Sequence, residues 1–482
     1  MGLSIAPSPK AGARAGLTAT RICIAIAAAG LAAATTSIAA APAESPRSGA
    51  KPSVASLARS LRAGAAKVDI TPAVDTFPLV SGQTFGSVHD PIFARALVLD
   101  NGGDKLVFVS VDTAGLPNGD VLVEAVTDEL GIPADHLIMS ATHDHNTPTF
   151  GNGQSPAAIA YFATLEHGVV EAVRRAAAKL QPAVIGFARG KAFVNTNRDQ
   201  FIGAGYHMGY APEGPSDKTV AVLTVRSTAG VPIAVYANYA VHGVVMFLAR
   251  TKDGRAQITG DLPGATSDYV ENRLGNDAVA LWTSGAAGDQ NPLFMATYNQ
   301  DAPDVVDEGA AGWAILDVQA RRLGEEIVRV SKSTEDTTDR AVLWGEATTV
   351  VCPGQERAQP PVPGVPTQGY RAPPASTVKM IDGPPVRIPL KLAMINDVAI
   401  AGVSAEVFTE IGEHLKRASL FDKAMMVTHL PNGIGYIPTD KAYLLPSEKA
   451  VGNRLKPGCA EPAMLGAFDA MMRRYLSVWR AR

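Results

Sequence analysis

The chain has 482 residues, 43 basic and 46 acidic, a formal charge of -3 and no basic run, which argues against a nucleic-acid partner. Its length allows one large two-sheet domain or two smaller ones, and 46% hydrophobic residues allow a substantial core. With three cysteines and no C-x-x-C, cysteine metal chemistry is disfavoured.

At the N-terminus, Lys10, Arg14 and Arg21 precede ICIAIAAAGLAAATTSIAAAPA, an apolar run that ends at the small-x-small site Ala41-Pro42-Ala43. Residues 1–43 therefore read as a secretory signal peptide, and the mature protein as secreted or periplasmic. Their removal takes away three basic and no acidic side chains, which moves the charge from -3 to -6. Cys352 and Cys459 remain and could pair in an oxidising compartment, although spacing alone does not bring them together. Residues 44–62 are polar and read as a flexible lead-in, with the folded domain spanning 63–482.

From Ala65 the text is α/β. ARALVLD, KLVFVSVD and HLIMSAT read as buried strands, followed by helical patterns in GDVLVEAVTDEL and SPAAIAYFATLEHGVVEAVRRAAAKL. Strands follow at AVIGFAR, KTVAVLTVR and PIAVYANYAVHG, a helix at LPGATSDYVENRLG, a strand at DAVALWTSG and an amphipathic helix at GWAILDVQARRLGEEIVRVSK. Residues 353–375 are too Pro-rich for helix or central strand and read as a surface insertion that could act as a lid. Strands (VRIPLKLAMINDVAIAGVSA) and a helix (EVFTEIGEHLKRA) then resume, so the whole is layered α/β with helices covering sheets.

The chemistry-bearing residues sit at strand ends. In ATHDHNTP, continued strand geometry would put His143 and His145 on one face and Asp144 on the other. The pair could bind one divalent ion, or one imidazole could bind it while the other polarises a substrate. His242 follows the run PIAVYANYAV, and Glu406 is placed where a strand gives way to a helix. Asp261 could be an N-cap, Asp289 turn chemistry and Tyr436 packing. Two histidines and a carboxylate around an open position are the recipe for a hydrolytic zinc site, zinc being favoured over magnesium by imidazole ligands. A serine hydrolase is the competing class, but no G-x-S-x-G is present.

The ordered set AAKVDITP, VHDPIFARALVLDN, VFVSVDTAG, ATHDHNTP, NTNRDQF, YAVHG, GDLPG, GAAGDQNP, AEVFTEIG and GYIPT resembles the neutral/alkaline ceramidase family, from about Ala65 to about Tyr443. The resemblance implies a single four-layer α-β-β-α sandwich around a zinc ion, and hydrolysis of the amide of N-acylsphingosine. It implies zinc ligands at His143, His242, Glu406 and Tyr436, with His145 and Arg198 facing the substrate. Asp261, Asp289 and Asn291 come with it as residues lining the substrate. Three departures stand out. Asn291 occupies the place of the serine in the family's G-D-x-S-P-N segment, and a carboxamide is a poor nucleophile. A tyrosine that follows the zinc tyrosine has no counterpart, with Glu448 nearby instead. The sequence as read also lacks the immunoglobulin-like C-terminal domain of full-length members.

The expectation is an exported zinc hydrolase that cleaves an amide through metal-activated water. Ceramide or another N-acylated lipid is the leading substrate, reached by peripheral contact with a membrane surface. His145 is the candidate proton donor to the leaving amine. The alternatives are a zinc hydrolase of the same fold acting on a small-molecule amide or ester, and a non-catalytic lipid-binding or surface protein.

Overall fold

The structure, a computed structural model, describes residues 58–73, 85–148, 150, 156–202, 205–247, 249, 251, 254–296, 310–358, 379–444, 449–450 and 452–481. The signal peptide, most of the lead-in, Glu448 and residues 359–375 of the Pro-rich insertion lie outside them.

The first sheet opens with β1 (Arg62–Asp69), β2 (Phe93–Asp100), β3 (Lys105–Val111), β4 (Leu137–Ala141) and β5 (Gln181–Lys191). A hairpin, β6 (Asn195–Ile202) and β7 (Gly205–Ala211), then leaves that sheet. β8 (Thr219–Ser227), β9 (Pro232–Tyr239) and β10 (Val279–Ser284) complete the order β10-β9-β8-β5-β1-β2-β3-β4. A short strand, β11 (Gln290–Pro292), pairs with β6 rather than with the large sheet. The second sheet holds β12 (Leu343–Arg357), β13 (Met380–Ile395) and β14 (Val398–Val403). After a two-residue strand, β15 (Glu406–Val407), β16 (Lys423–Val427) closes it in the order β12-β13-β14-β16. β17 (Tyr436–Ile437) then pairs in parallel with β15.

Strands covered on both faces, such as β2, β3 and β14, have apolar runs buried throughout, whereas β12 and β13 alternate buried with more exposed residues. One core cluster joins Leu97, Phe108, Leu223 and Tyr236 of the first sheet to Ile395, Ile400 and Met425 of the second. The other face of the first sheet packs on α1 (Gly119–Leu130) and α2 (Pro156–Ala178), and further along on α3 (Asp261–Leu274) and α4 (Ala310–Lys332). The outer face of the second sheet packs on α5 (Thr409–Ala418) and, past a short α6 (Asp440–Leu444), on α7 (Ala460–Ala481). No helix among the described residues is long and apolar enough to cross a membrane.

Two expectations change. Residues 353–357, expected to be irregular, continue β12, and Gly354 to Arg357 pair with Gly383 to Met380 of β13. Glu406 does not open a helix. Its N–H bonds to the Gly435 carbonyl (2.9 Å) in β15, and α5 starts three residues later. The cysteines meet: Cys352 on β12 and Cys459 before α7 form a disulfide with Cα atoms 5.7 Å apart.

Candidate metal centre

β4 ends at Ala141, and His143 takes a left-handed backbone (φ 63°), so strand alternation is broken where it was expected to continue. The two imidazoles converge for another reason. An isolated parallel bridge between Asp144 and Gly243 ties the β4 exit to the β9 exit. The His145 N–H reaches the Gly243 carbonyl (3.0 Å), and the Gly243 N–H reaches that of His143 (3.3 Å). A Cβ at Gly243 would lie 3.0 Å from the Asp144 Cα, so any side chain there would push the two strand exits apart by a few tenths of an ångström.

That bridge puts His143 and His242 face to edge, with ring centroids 4.5 Å apart. The β15–β17 pair delivers the remaining groups, with Glu406 directly opposite Tyr436 in register. Glu406 Oε2 lies 3.3 Å from His143 Nε2 and 3.3 Å from His242 Nε2, while His145 Nε2 lies 3.2 Å from His143 Nε2. Four of the expected residues thus meet at one point, and the three histidines form a cluster able to hold a metal ion.

Backbone carbonyls decide the proton placement. His143 Nδ1 is 2.8 Å from the Ala114 carbonyl, and His242 Nδ1 is 2.9 Å from that of Gln290. A carbonyl only accepts, so both Nδ1 atoms carry the hydrogen and both Nε2 atoms present lone pairs. Charging the rings is no escape for His242: burial, then nearby Arg198 and His143, push its pKa down to about 3. Burial alone would raise Glu406, but the facing His143 and His242 hold it well below the usual carboxylate range. Where no proton bridges them, two nitrogen lone pairs and a carboxylate oxygen meet at 3.3 Å, and it is positive charge at that focus that keeps Glu406 ionised. Such a set repels itself unless a cation sits at its focus, so the residues fit a divalent ion. The carbonyl contacts are the outer-shell support that metal-binding imidazoles use.

Arg198, on β6, is the other charged member. Its Nη2 donates to the Gly288 carbonyl (2.6 Å) and to Tyr436 Oη (3.1 Å), and its Nη1 to Asn291 Oδ1 (3.3 Å). Asn291 is thus buried against the guanidinium. Burial, then Glu406, raises the Tyr436 phenol, which also hydrogen-bonds Glu406. Burial, then His143 and His242, lowers His145 well below its ordinary value. Arg198 Nε, His145 Nδ1 and His429 Nε2 are buried without a hydrogen-bond partner among the described residues.

The two aspartates expected to line the substrate have other work. Asp261 is fully buried and its carboxylate accepts the N–H groups of Val245 (2.9 Å) and Met246 (2.8 Å), pinning the loop that follows His242. Asp261 is the first residue of α3 and not its N-cap, which is Gly260. Asp289 accepts the Thr409 N–H (2.9 Å) at the start of α5 and Asn197 Nδ2 (2.9 Å). Its carboxylate also borders a cavity on the far side of β6 from the histidines. Asp144, expected to point away, bonds the Asn146 N–H (2.7 Å) instead of joining the histidines.

One site residue escaped the sequence reading. His429 stacks on His143 with centroids 3.8 Å apart and planes 9° from parallel. The signal was there: like His242, it lies just past the end of an apolar strand, here AMMV.

The fold is similar to that of a solved ceramidase complexed with C2, with a TM-score of 0.68, 16% identity, and coverage of 86% of this chain and 76% of that one. It is equally similar to the neutral ceramidase from Pseudomonas aeruginosa, with a TM-score of 0.67, 16% identity and coverage of 86% and 75%. No curated protein matches the chain. The model of the neutral/alkaline non-lysosomal ceramidase N-terminal domain matches residues 62–307, half of the chain, and the chain therefore belongs to that family.

Proposed function

We propose that the protein is an exported zinc-dependent amidohydrolase whose substrate is ceramide or another N-acylated lipid. One observation carries the reading: the lone pairs of His143 and His242 and the Glu406 carboxylate converge on a single point. Tyr436, opposite Glu406, completes the ligand set. Zinc held there supplies Lewis acidity toward a carbonyl and toward water. The chain's own groups do the rest. Arg198, fixed by Gly288, Asn291 and Tyr436, lies beside the centre and supplies positive charge to a developing oxyanion. His145 is neutral, with its Nδ1 unbonded, so it can take the proton released by the attacking water and pass it to the leaving amine. Asn291 cannot act as a nucleophile, and its carboxamide positions Arg198. The disulfide between Cys352 and Cys459 supports export, since such bonds persist in oxidising compartments.

The same substitution favours a second reading, in which the amide or ester cleaved is not a sphingolipid. Metal analysis of the purified protein, with mass-spectrometric identification of products from labelled ceramide and a panel of N-acyl amides and esters, separates these. About one equivalent of zinc, lost in His143→Ala and His242→Ala, together with fatty acid from ceramide, is the expected result. Product from the panel but none from ceramide would remove the lipid reading. Equal metal content in wild type and both variants would end the zinc reading.

A further inference from the structure

β6 sends Arg198 toward the metal centre and Asn197, Asp199 and Phe201 to its other side, where they border a cavity of about 520 Å3. Three aromatic rings line it from the hairpin, Phe201, Tyr206 and Tyr210. Phe201 and Tyr206 meet edge to face with centroids 5.2 Å apart, while Phe201 and Tyr210 keep 53% and 45% of their surface exposed. Phe408, almost wholly buried, closes the inner wall beside Asp289.

The charge of the lining is one-sided. Asp199, Glu213 and Glu410 contribute carboxylates and Lys441 is the single cationic side chain. Among the described residues no ion pair engages Glu213 or Glu410, whereas Glu129, Glu171, Glu325, Glu326 and Asp469 on the helices each pair with an arginine.

Aromatic faces carry negative quadrupole charge and, with carboxylates beside them, form the recognition chemistry of alkylated ammonium groups. A metal ion would be served by the oxygens alone and would gain nothing from four rings. A purely apolar ligand would leave the carboxylates against it. The volume suits a small organic molecule or the head of a larger one.

We propose that this cavity is a second binding site, for the alkylated ammonium group of a small organic cation or of a lipid headgroup. The site shares β6 and the Gly288–Asn291 segment with the metal centre but uses the opposite side of them. It stands apart from the proposed hydrolysis, because it is read by binding without turnover.

The test is titration of the full-length protein with choline and with its uncharged isostere 3,3-dimethylbutan-1-ol, followed by calorimetry and ligand-observed NMR. Choline is expected to bind, the isostere at least about tenfold more weakly, and Tyr210→Ala and Glu410→Gln each to weaken choline by about threefold or more. Phosphatidylcholine vesicles form a second arm. Cosedimentation that choline competes away assigns the group to a lipid headgroup, and choline binding without cosedimentation assigns it to a free cation. Equal affinity for choline and the isostere, no choline binding, or unchanged binding in both variants would overturn the proposal.

Discussion

The two sides of the β11–β6–β7 sheet are built on different terms. On the histidine side the central groups are pinned: each of His143 and His242 has one nitrogen committed to a backbone carbonyl, and Arg198 is held by three acceptors. On the cavity side Phe201 and Tyr210 are half exposed, and the carboxylates of Glu213 and Glu410 have no ion-pair partner among the described residues. Chemistry that must align a bond to a few tenths of an ångström needs the first kind of wall, because small misplacements cost large factors in rate. Recognition through diffuse charge and aromatic faces tolerates the second.

Removing a ligand is the severest way to break this contrast. His143→Ala is expected to abolish metal retention and lower amide hydrolysis by about a thousandfold or more, measured by elemental analysis and initial rates. Retained metal with retained activity would show the centre is not where the lone pairs converge. Next in size is Arg198→Lys, which keeps the charge but cannot satisfy Gly288, Asn291 and Tyr436 together. A fall of about a hundredfold in kcat is expected, with metal content unchanged.

Asp261→Ala sharpens the comparison at one remove. It leaves the buried N–H groups of Val245 and Met246 without an acceptor, which costs about 3 kcal/mol of stability and loosens the loop after His242. Denaturant unfolding should show that loss, and competition with a chelator should show weaker metal retention. A stable variant with full metal affinity would detach the loop from the site.

Asp289 gives a pH-dependent test, because it serves both sides of the sheet. Burial raises its pKa to about 7, so the folded state holds a proton that the unfolded carboxyl releases near its ordinary value. Its contribution to stability is full at low pH and is lost as pH rises from about 4 through 7. The Tm of Asp289→Asn relative to wild type should therefore increase over that range in differential scanning calorimetry. A flat difference would mean the carboxyl is ionised throughout. The smallest effect is expected at Asn291, whose one bond to Arg198 is long. Asn291→Ala should lower kcat by less than about tenfold.

The strands and long helices were legible because their apolar runs and 3.6-residue periods are local properties. GDVLVEAVTDEL is the observed helix to the residue. The hairpin Asn195–Ala211 was not read as strands, since it leaves the large sheet and carries little of the continuous apolar run that marked the others. The helix start at Glu406 was misplaced because a parallel partner thirty residues later, Tyr436, holds it as strand.

By itself the sequence determined which imidazoles and carboxylates stand at strand ends, and its motif order pointed to the family. Tertiary structure alone decided the tautomers, because the accepting carbonyls belong to Ala114 and Gln290 and a carbonyl has no side-chain signature. It also decided that Asp261 and Asp289 hold backbone while His429 joins the centre. Hydrogen bonding and stacking are settled by distances of a few ångströms, which residues dozens or hundreds of positions apart acquire only when the chain is folded.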